Sequence, residues 1–236
     1  MIYVGIDDTD MPGTPGTNQF ARALATHLSD RYRCLLIVRH QLLQDPRVPC
    51  TSKNSAASLL LEPRDGPAVG PLVEILRGFV HRRLIAGSDP GFCVTGEVPD
   101  AFTEFGRRCQ KELVTQSEAR HLAGTHGIHL EGCGGTEDGV IGALAAVGLV
   151  AEGDDGRVVQ IGSWPDDLSG PQDVPSLRDR NVEVRCLESG TTVTSGTIDV
   201  GKHLRPSYRS KRVIQHAEPT LRDGRESGFW RAVRLN

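Results

Sequence analysis

The sequence is short of the features that define several protein classes. Across 236 residues, no apolar run approaches the roughly 18 residues that cross a bilayer. The chain enters a strand-like segment at once, with no basic stretch and no small-residue cleavage site, so the expectation is a cytoplasmic protein without a signal peptide or membrane partner. Six cysteines are scattered at 34, 50, 93, 109, 133 and 186, and no two form Cys-x-x-Cys. That spacing argues against a zinc ribbon and a disulfide framework and predicts reduced thiols. His126 and His129 lie beside Cys133, but no fourth ligand stands out for zinc. A basic excess is also missing: 27 Lys and Arg stand against 30 Asp and Glu, a net charge of -3. Only a local basic face could serve a nucleic acid. The Gly-Lys-Ser/Thr of a P-loop, the Gly-x-Ser-x-Gly of a serine hydrolase, internal repeats and low-complexity segments are absent.

The chain has a 38% hydrophobic fraction, enough for a packed core in one large domain or two small ones. Strands are expected at Ile2 to Ile6, Cys34 to Val38, Ala56 to Leu61 and Phe92 to Thr95. Helical spacing of apolar residues predicts helices over 18–31, about 69–80, 102–113 and 140–147, and another starting at Ser117. Thr17 is placed to cap the first helix. Beyond Val158 the pattern turns to short β runs, at 158–161, 182–186, 191–198 and 213–217, with a further strand in the tail. The fold class is therefore mixed α/β (α+β) with a β-rich C-terminal part.

Three stretches carry candidate chemistry. "GIDDTDMPGTPGTN" places Asp7, Asp8 and Asp10 at the end of a strand, before Gly13, Gly16, Thr17 and Asn18 at a helix start. Adjacent carboxylates can hold Mg²⁺ through a few oxygens, with waters and phosphates completing the shell. A helix start offers N–H groups and a partial positive charge to phosphate. Asp7 and Asp8 point to opposite sides of an ideal strand, so one metal needs the chain to turn there. The same residues also suit a solvated acidic turn, and the pattern alone leaves both readings open. "PRVPCTSKNSA" offers Lys53 and Asn54 in a loop as phosphate contacts, though Lys is common in surface loops. "GCGGTEDGVIGALAAVG" leads a glycine-rich loop with Gly135 and Gly139 into a helix containing Gly142. This suits an anion cradle, or close packing of a small-residue helix; Glu137 and Asp138 oppose phosphate and favour a metal or the helix dipole.

Taken in order, "YVGIDDTD", "DPRVPCTSKNSA", "SDPGFCV" and "GVIGALAAVG" resemble the N-terminal part of the archaeal agmatidine synthetases, which modify the wobble cytidine of an isoleucine tRNA. The resemblance covers about residues 2 to 150. It implies an ATP- and Mg²⁺-dependent kinase-like domain, here 1–64 and 126–236 with the β-rich tail, interrupted by a ferredoxin-like insertion at 65–125. In that family ATP activates the cytosine C2 position by phosphorylation, agmatine displaces the phosphate, and a loop threonine also takes phosphate. Carried over, Asp7, Asp8 and Asp10 are the Mg²⁺ acids and Thr17 the phosphate-accepting or phosphate-binding residue. Gly13, Gly16, Asn18, Lys53, Asn54, Gly135, Gly139 and Gly142 then belong to the nucleotide loops. The family's tandem Thr-Thr is here Thr17-Asn18, its basic loop is Thr51-Ser52-Lys53-Asn54-Ser55, and its Gly-Arg-Gly is Glu137-Asp138-Gly139. The family's OB-fold and four-cysteine zinc ribbon are not recognisable. The implied function is an ATP-dependent phosphotransferase with an RNA or small-molecule acceptor; the alternative is a non-catalytic nucleotide-binding module of a larger complex.

Overall fold

The computed structural model describes residues 1–51, 53–66, 69–162, 164–165, 168–222 and 225–235, with no side-chain description for 164–165, 221–222 and 225–227. Ser52 of the middle motif and 223–224 of the tail lie outside the described residues. The chain opens with β1 (Ile2–Asp7), α1 (Thr17–Leu28), β2 (Tyr32–Gln41), β3 (Ser55–Pro63), α2 (Val69–Arg82) and β4 (Gly91–Thr95). These run β-α-β-β-α-β, and the strands lie antiparallel in the order β4-β1-β3-β2. Next come α3 (Asp100–Cys109), α4 (Gln116–Thr125), β5 (His129–Gly132), α5 (Gly139–Glu152) and β6 (Arg157–Ile161). β5 extends the sheet beyond β4 and β6 extends it beyond β2.

Alternation along β1 sets up the two faces. Ile2, Val4 and Ile6 pack with Phe20 and Leu24 of α1 and with Leu72, Leu76 and Phe79 of α2. On the other face, Cys93 and Ala56 pack with Phe102, Phe105 and the small residues of α5. Helix α5 is buried all round because it is sandwiched between the sheet and α3. Glycine makes that approach feasible: a Cβ at Gly5 would overlap the carbonyl oxygen of Ala143, and one at Gly148 would overlap that of Phe102.

Residues 65–125 contribute α2, β4, α3 and α4. β4 lies inside the sheet between β1 and β5, and α3 packs on α5. This stretch shares its sheet and its cores with what precedes and follows it.

The remainder is β7 (Trp164–Pro165), β8 (Pro171–Asp173), α6 (Val174–Arg178), β9 (Val182–Cys186), β10 (Thr192–Val193), β11 (Thr197–Asp199), β12 (Ser207–Arg209), β13 (Arg212–Arg222) and β14 (Arg225–Val233). They cover a core that includes Val182, Val184, Ile198 and Ala217 and is shared with Leu36 and Val38 of β2, Leu60 of β3, Val150 of α5 and Val158 of β6. The tail strand is present as β14. The expected 191–198 strand is two short ones divided by Gly196, and the five-residue α6 carried no periodic signal. Helix α1 ends at Leu28 rather than 31, because a tight turn delivers Tyr32 into β2; α3 ends at Cys109, where the chain turns toward α4.

Candidate functional site

β1 ends at Asp7, and the chain turns at Asp8, whose φ of 54° is left-handed. That turn is the condition under which neighbouring carboxylates face one site. The Asp8 N–H donates to Asp7 Oδ1 at 2.8 Å. Asp10 accepts the Thr17 hydroxyl at 3.0 Å, and Thr17 in turn accepts from Thr9 at 3.2 Å. Thr17 does not cap α1, contrary to expectation: it is the first helical residue, its hydroxyl is engaged by Asp10, and Gly16 stands at the cap position without a side-chain acceptor. The Gly16 carbonyl accepts the Gln19 and Phe20 amides, so the Thr17 and Asn18 amides are those a helix start offers to an anion.

Around these acids lies a cavity of about 600 Å³. Asp7, Asp8, Asp10, Gly16, Thr17 and Asn18 line it from the first motif. Lys53 and Asn54 reach it from the second, Gly139 and Gly142 from the third. Three segments far apart in sequence therefore share one cavity. Thr51 ties the second to the first by donating to the Asp10 carbonyl at 3.2 Å. Gly13 and Gly135 do not line it. Gly13 shapes the Met11–Thr14 turn, and Gly135 clears space that Asp89 occupies. Gly142 lets α5 reach Asp7, since a Cβ there would overlap its carboxylate. Asn54 spends its side-chain amide on the Leu43 carbonyl at 2.9 Å.

The electrostatics are those of acids crowded together. Burial, chiefly, with the charges of Asp8 and Asp10, pushes the Asp7 carboxyl up to about 7 against the pull of the Asp8 N–H. Burial and then Asp89, Asp10 and Asp138 push Asp8 up to about 6. A bound cation would relieve both. Among the described residues, no group of three His, Cys, Asp or Glu side chains is arranged to hold a metal alone. The acids suit Mg²⁺ only in its usual manner, with one or two carboxylates and the rest of the shell from water and phosphate. The histidines near Cys133 are otherwise engaged: His129 contacts Glu131 at 2.8 Å.

Several wall residues lie within or outside the quoted stretches without having been singled out as site residues. Asp89 is fixed by the Thr136 N–H at 2.7 Å and hydroxyl at 3.0 Å. It sits two residues before Gly91, which is paired with Asp7. "SDP" ahead of a strand was the available clue. Arg39 lines the cavity from β2, and Leu42, Leu43, Val48 and Leu113 give it an apolar wall. Cys50 also lines it and is exposed; Cys34 is half-buried and the other four cysteines are buried. A second constellation proves structural: Ser58, His40 and Asp155 form a hydroxyl–imidazole–carboxylate relay at 2.9 and 2.7 Å. Ser58 and His40 are fully buried, so no substrate reaches them.

No protein-family model and no curated protein matches the chain significantly. Solved structures do. A tRNA fluorescent labeling enzyme aligns with a TM-score of 0.56 at 27% identity, over 62% of this chain and 35% of that one. TiaS in complex with tRNA(Ile2), AMPCPP and agmatine aligns at 0.54 and 26%, over 62% and 36%. TiaS with tRNA(Ile2) and ATP aligns at 0.52 and 26% over the same shares. The chain resembles TiaS, the tRNA-Ile2 agmatidine synthetase. It spans about a third of the length of the TiaS chains it matches. The likeness agrees with the mixed α+β architecture and its large, mostly antiparallel sheet. No helix among the described residues is long and apolar enough to cross a membrane.

Proposed function

We propose that the cavity binds ATP and that the protein is an ATP-using phosphotransferase of the RNA-modifying kind. The observation that carries this is the convergence of the strand-end acids, the uncapped start of α1 and the Lys53 loop on one cavity of about 600 Å³. That volume falls within the usual range of ligand sites. TiaS structures containing ATP and AMPCPP support the reading. In it, the phosphates lie against Gly16, Thr17, Asn18 and Lys53, and the base against the apolar wall. Asp7, Asp8 and Asp10 would hold Mg²⁺, which supplies charge neutralisation at the phosphates.

Thr17 is the phosphate acceptor within the chain. Its oxygen attacks the γ-phosphorus, the bond from that phosphorus to the bridging β–γ oxygen breaks, and ADP leaves. The hydroxyl proton passes to Asp10, to which it is already hydrogen-bonded at 3.0 Å. The ferredoxin-like label fits the β-α-β-β-α-β unit of residues 2–95 better than an insertion at 65–125, supported by its β4-β1-β3-β2 order. The kinase-like part is then the cavity framed by that unit, α5 and the α3–α4 connection.

Asp8→Ala is expected to abolish Mg²⁺-dependent ATP turnover; unchanged turnover would remove the acids from the site. Mass spectrometry after incubation with ATP and Mg²⁺ should find one phosphate on Thr17. Glu137 and Asp138, acids within the third motif, favour a second reading: a module that binds nucleotide without reacting. Protection of Cys50 from alkylation by ATP, with no ADP or AMP formed over hours, would select that reading.

A further inference from the structure

The loop ahead of α5 carries two neighbouring acids and treats them in opposite ways. Glu137 has a left-handed φ of 63°, and its side chain folds back over Gly132, where any Cβ would overlap it. There its Oε2 accepts from Arg120 Nη2 of α4 at 2.5 Å. Asp138 lines the cavity instead. It stands at the cap position of α5, yet its carboxylate caps no amide. Its Oδ1 accepts from the Gln116 side-chain amide at 3.0 Å.

Gln116 opens α4, whose start is fixed by the Thr115–Glu118 capping box. One turn on, Arg120 Nε donates to Gln116 Oε1 at 2.9 Å, so the amide nitrogen is the end that faces the loop. That nitrogen also donates to the Thr136 carbonyl at 2.8 Å. Thr136 in turn holds both oxygens of Asp89, with its N–H and its hydroxyl. Hydrogen bonds therefore run from Arg120 to Gln116 and divide there, one branch to Asp138 and one through Thr136 to Asp89. Gln116, Thr136, Asp89 and Asp138 line the cavity, and Arg120 stands behind them.

The charges along this line are spent selectively. Arg120 gives its charge to Glu137, while Asp89 and Asp138 take neutral donors only, among the described residues. For the loop's own stability, a cation on an inward acid would serve better than an amide. Neutral donors fix a carboxylate's direction and leave its charge to the cavity. That charge reaches the acid motif: burial first, then Asp89, Asp10 and Asp138, push the Asp8 carboxyl up. Carboxylates beyond the direct ligands suit a hydrated cation, because Mg²⁺ keeps several waters and those waters need acceptors.

We propose that Gln116, oriented by Arg120, is a positioning residue that holds Asp138 and, through Thr136, Asp89 toward Asp8, and that this bracing tightens the cavity's hold on the divalent cation that accompanies the nucleotide. This rests on the reading of the cavity as a site for ATP and Mg²⁺ and gives a role to two residues of α4 outside the acid motif.

The test titrates Mg²⁺ at fixed ATP and reads the protection of Cys50 from alkylation in the full chain. Gln116→Leu should raise the Mg²⁺ concentration for half-protection about tenfold, with protection at saturating Mg²⁺ still at the wild-type level. Asp138→Asn should give a loss of the same order, and the double variant should lose no more than Gln116→Leu alone, because the two act as one unit. Arg120→Gln leaves Gln116 in place without its orienting partner; it should give a smaller rise and serves if Gln116→Leu does not fold. An unchanged Mg²⁺ requirement in both variants, losses that multiply in the double variant, or protection lowered even at saturating Mg²⁺ would each overturn the proposal, the last by making the line a prop for the loop alone. Wild-type protection by ATP that needs no Mg²⁺ would overturn it while keeping the nucleotide cavity. No protection of the wild type at any Mg²⁺ concentration would reject the cavity reading as well.

Discussion

Glycine is common in both regions of this molecule, 27 residues in all, and the tight approaches gather mostly in the first. In the region up to β6, Gly5, Gly91, Gly139, Gly142 and Gly148 lie against backbone or carboxylate, and any Cβ would overlap a neighbour. In the C-terminal region, Gly162, Gly170, Gly190, Gly201 and Gly228 have positive φ and nothing within 4 Å of an added Cβ. The first set fixes distances between elements; the second only reverses the chain. The closest of these approaches are in the first region, where α5 is pressed onto β1 and Asp7. In the C-terminal region Gly196 makes such an approach, against the Gly228 carbonyl, and the glycines named above serve turns between short strands.

Three substitutions can break or sharpen this contrast. The largest effect is expected for Gly5→Ala, whose methyl has only the α5 backbone to displace; it should cost about 3 kcal/mol or more in urea unfolding. A small cost would mean that α5 is not held on β1 as described. Next comes Asp7→Asn. The Asp7 carboxyl holds its proton more tightly folded, with a value of about 7, than at the ordinary 3.8. Its contribution is therefore favourable at low pH, and stability falls as pH rises from about 3.8 through about 7. Above pH 7 without nucleotide, Asp7→Asn should stabilise the protein by on the order of 2 kcal/mol and also abolish ATP turnover. Equal stability of the two proteins at pH 8 would refute the buried charge. The smallest effect is Gly190→Ala, with φ of 69° in open space, which should cost about 1 kcal/mol and leave Cys50 protection intact. A cost as large as that of Gly5→Ala would erase the distinction.

Much of the first region was legible in the sequence. The apolar spacing in α1 and α2 and the buried runs of β1 and β3 are local signals, and they reported the core faithfully. The acid motif was legible as a turn at the end of β1, which Asp7 closes and Asp8 follows, and the pattern alone left its chemistry open. What sequence could not convey was adjacency. Asp89 joins the acids only because β4 pairs with β1, and Arg39 meets Arg157 only because β6 pairs with β2. The C-terminal region was legible as β but not in topology. Its parallel pairings, β9 with β13 and β11 with β14, join segments whose pairing no turn specifies. Thr17 shows a subtler limit: a threonine at a helix start reads as a cap until a carboxylate elsewhere claims its hydroxyl.

Strand β6 has a consequence for how the protein can be handled. It is bonded to β2 on one side, and on the other the Val158 N–H donates to the Pro206 carbonyl while the Tyr208 N–H donates to Gly156. Cutting the molecule at this seam would strip the Val158 amide on one fragment and the Tyr208 amide on the other of their partners and open the core that the two sides share. Bare strand edges recruit other strands, so both fragments should be sticky in solution. The two regions are best produced as one chain.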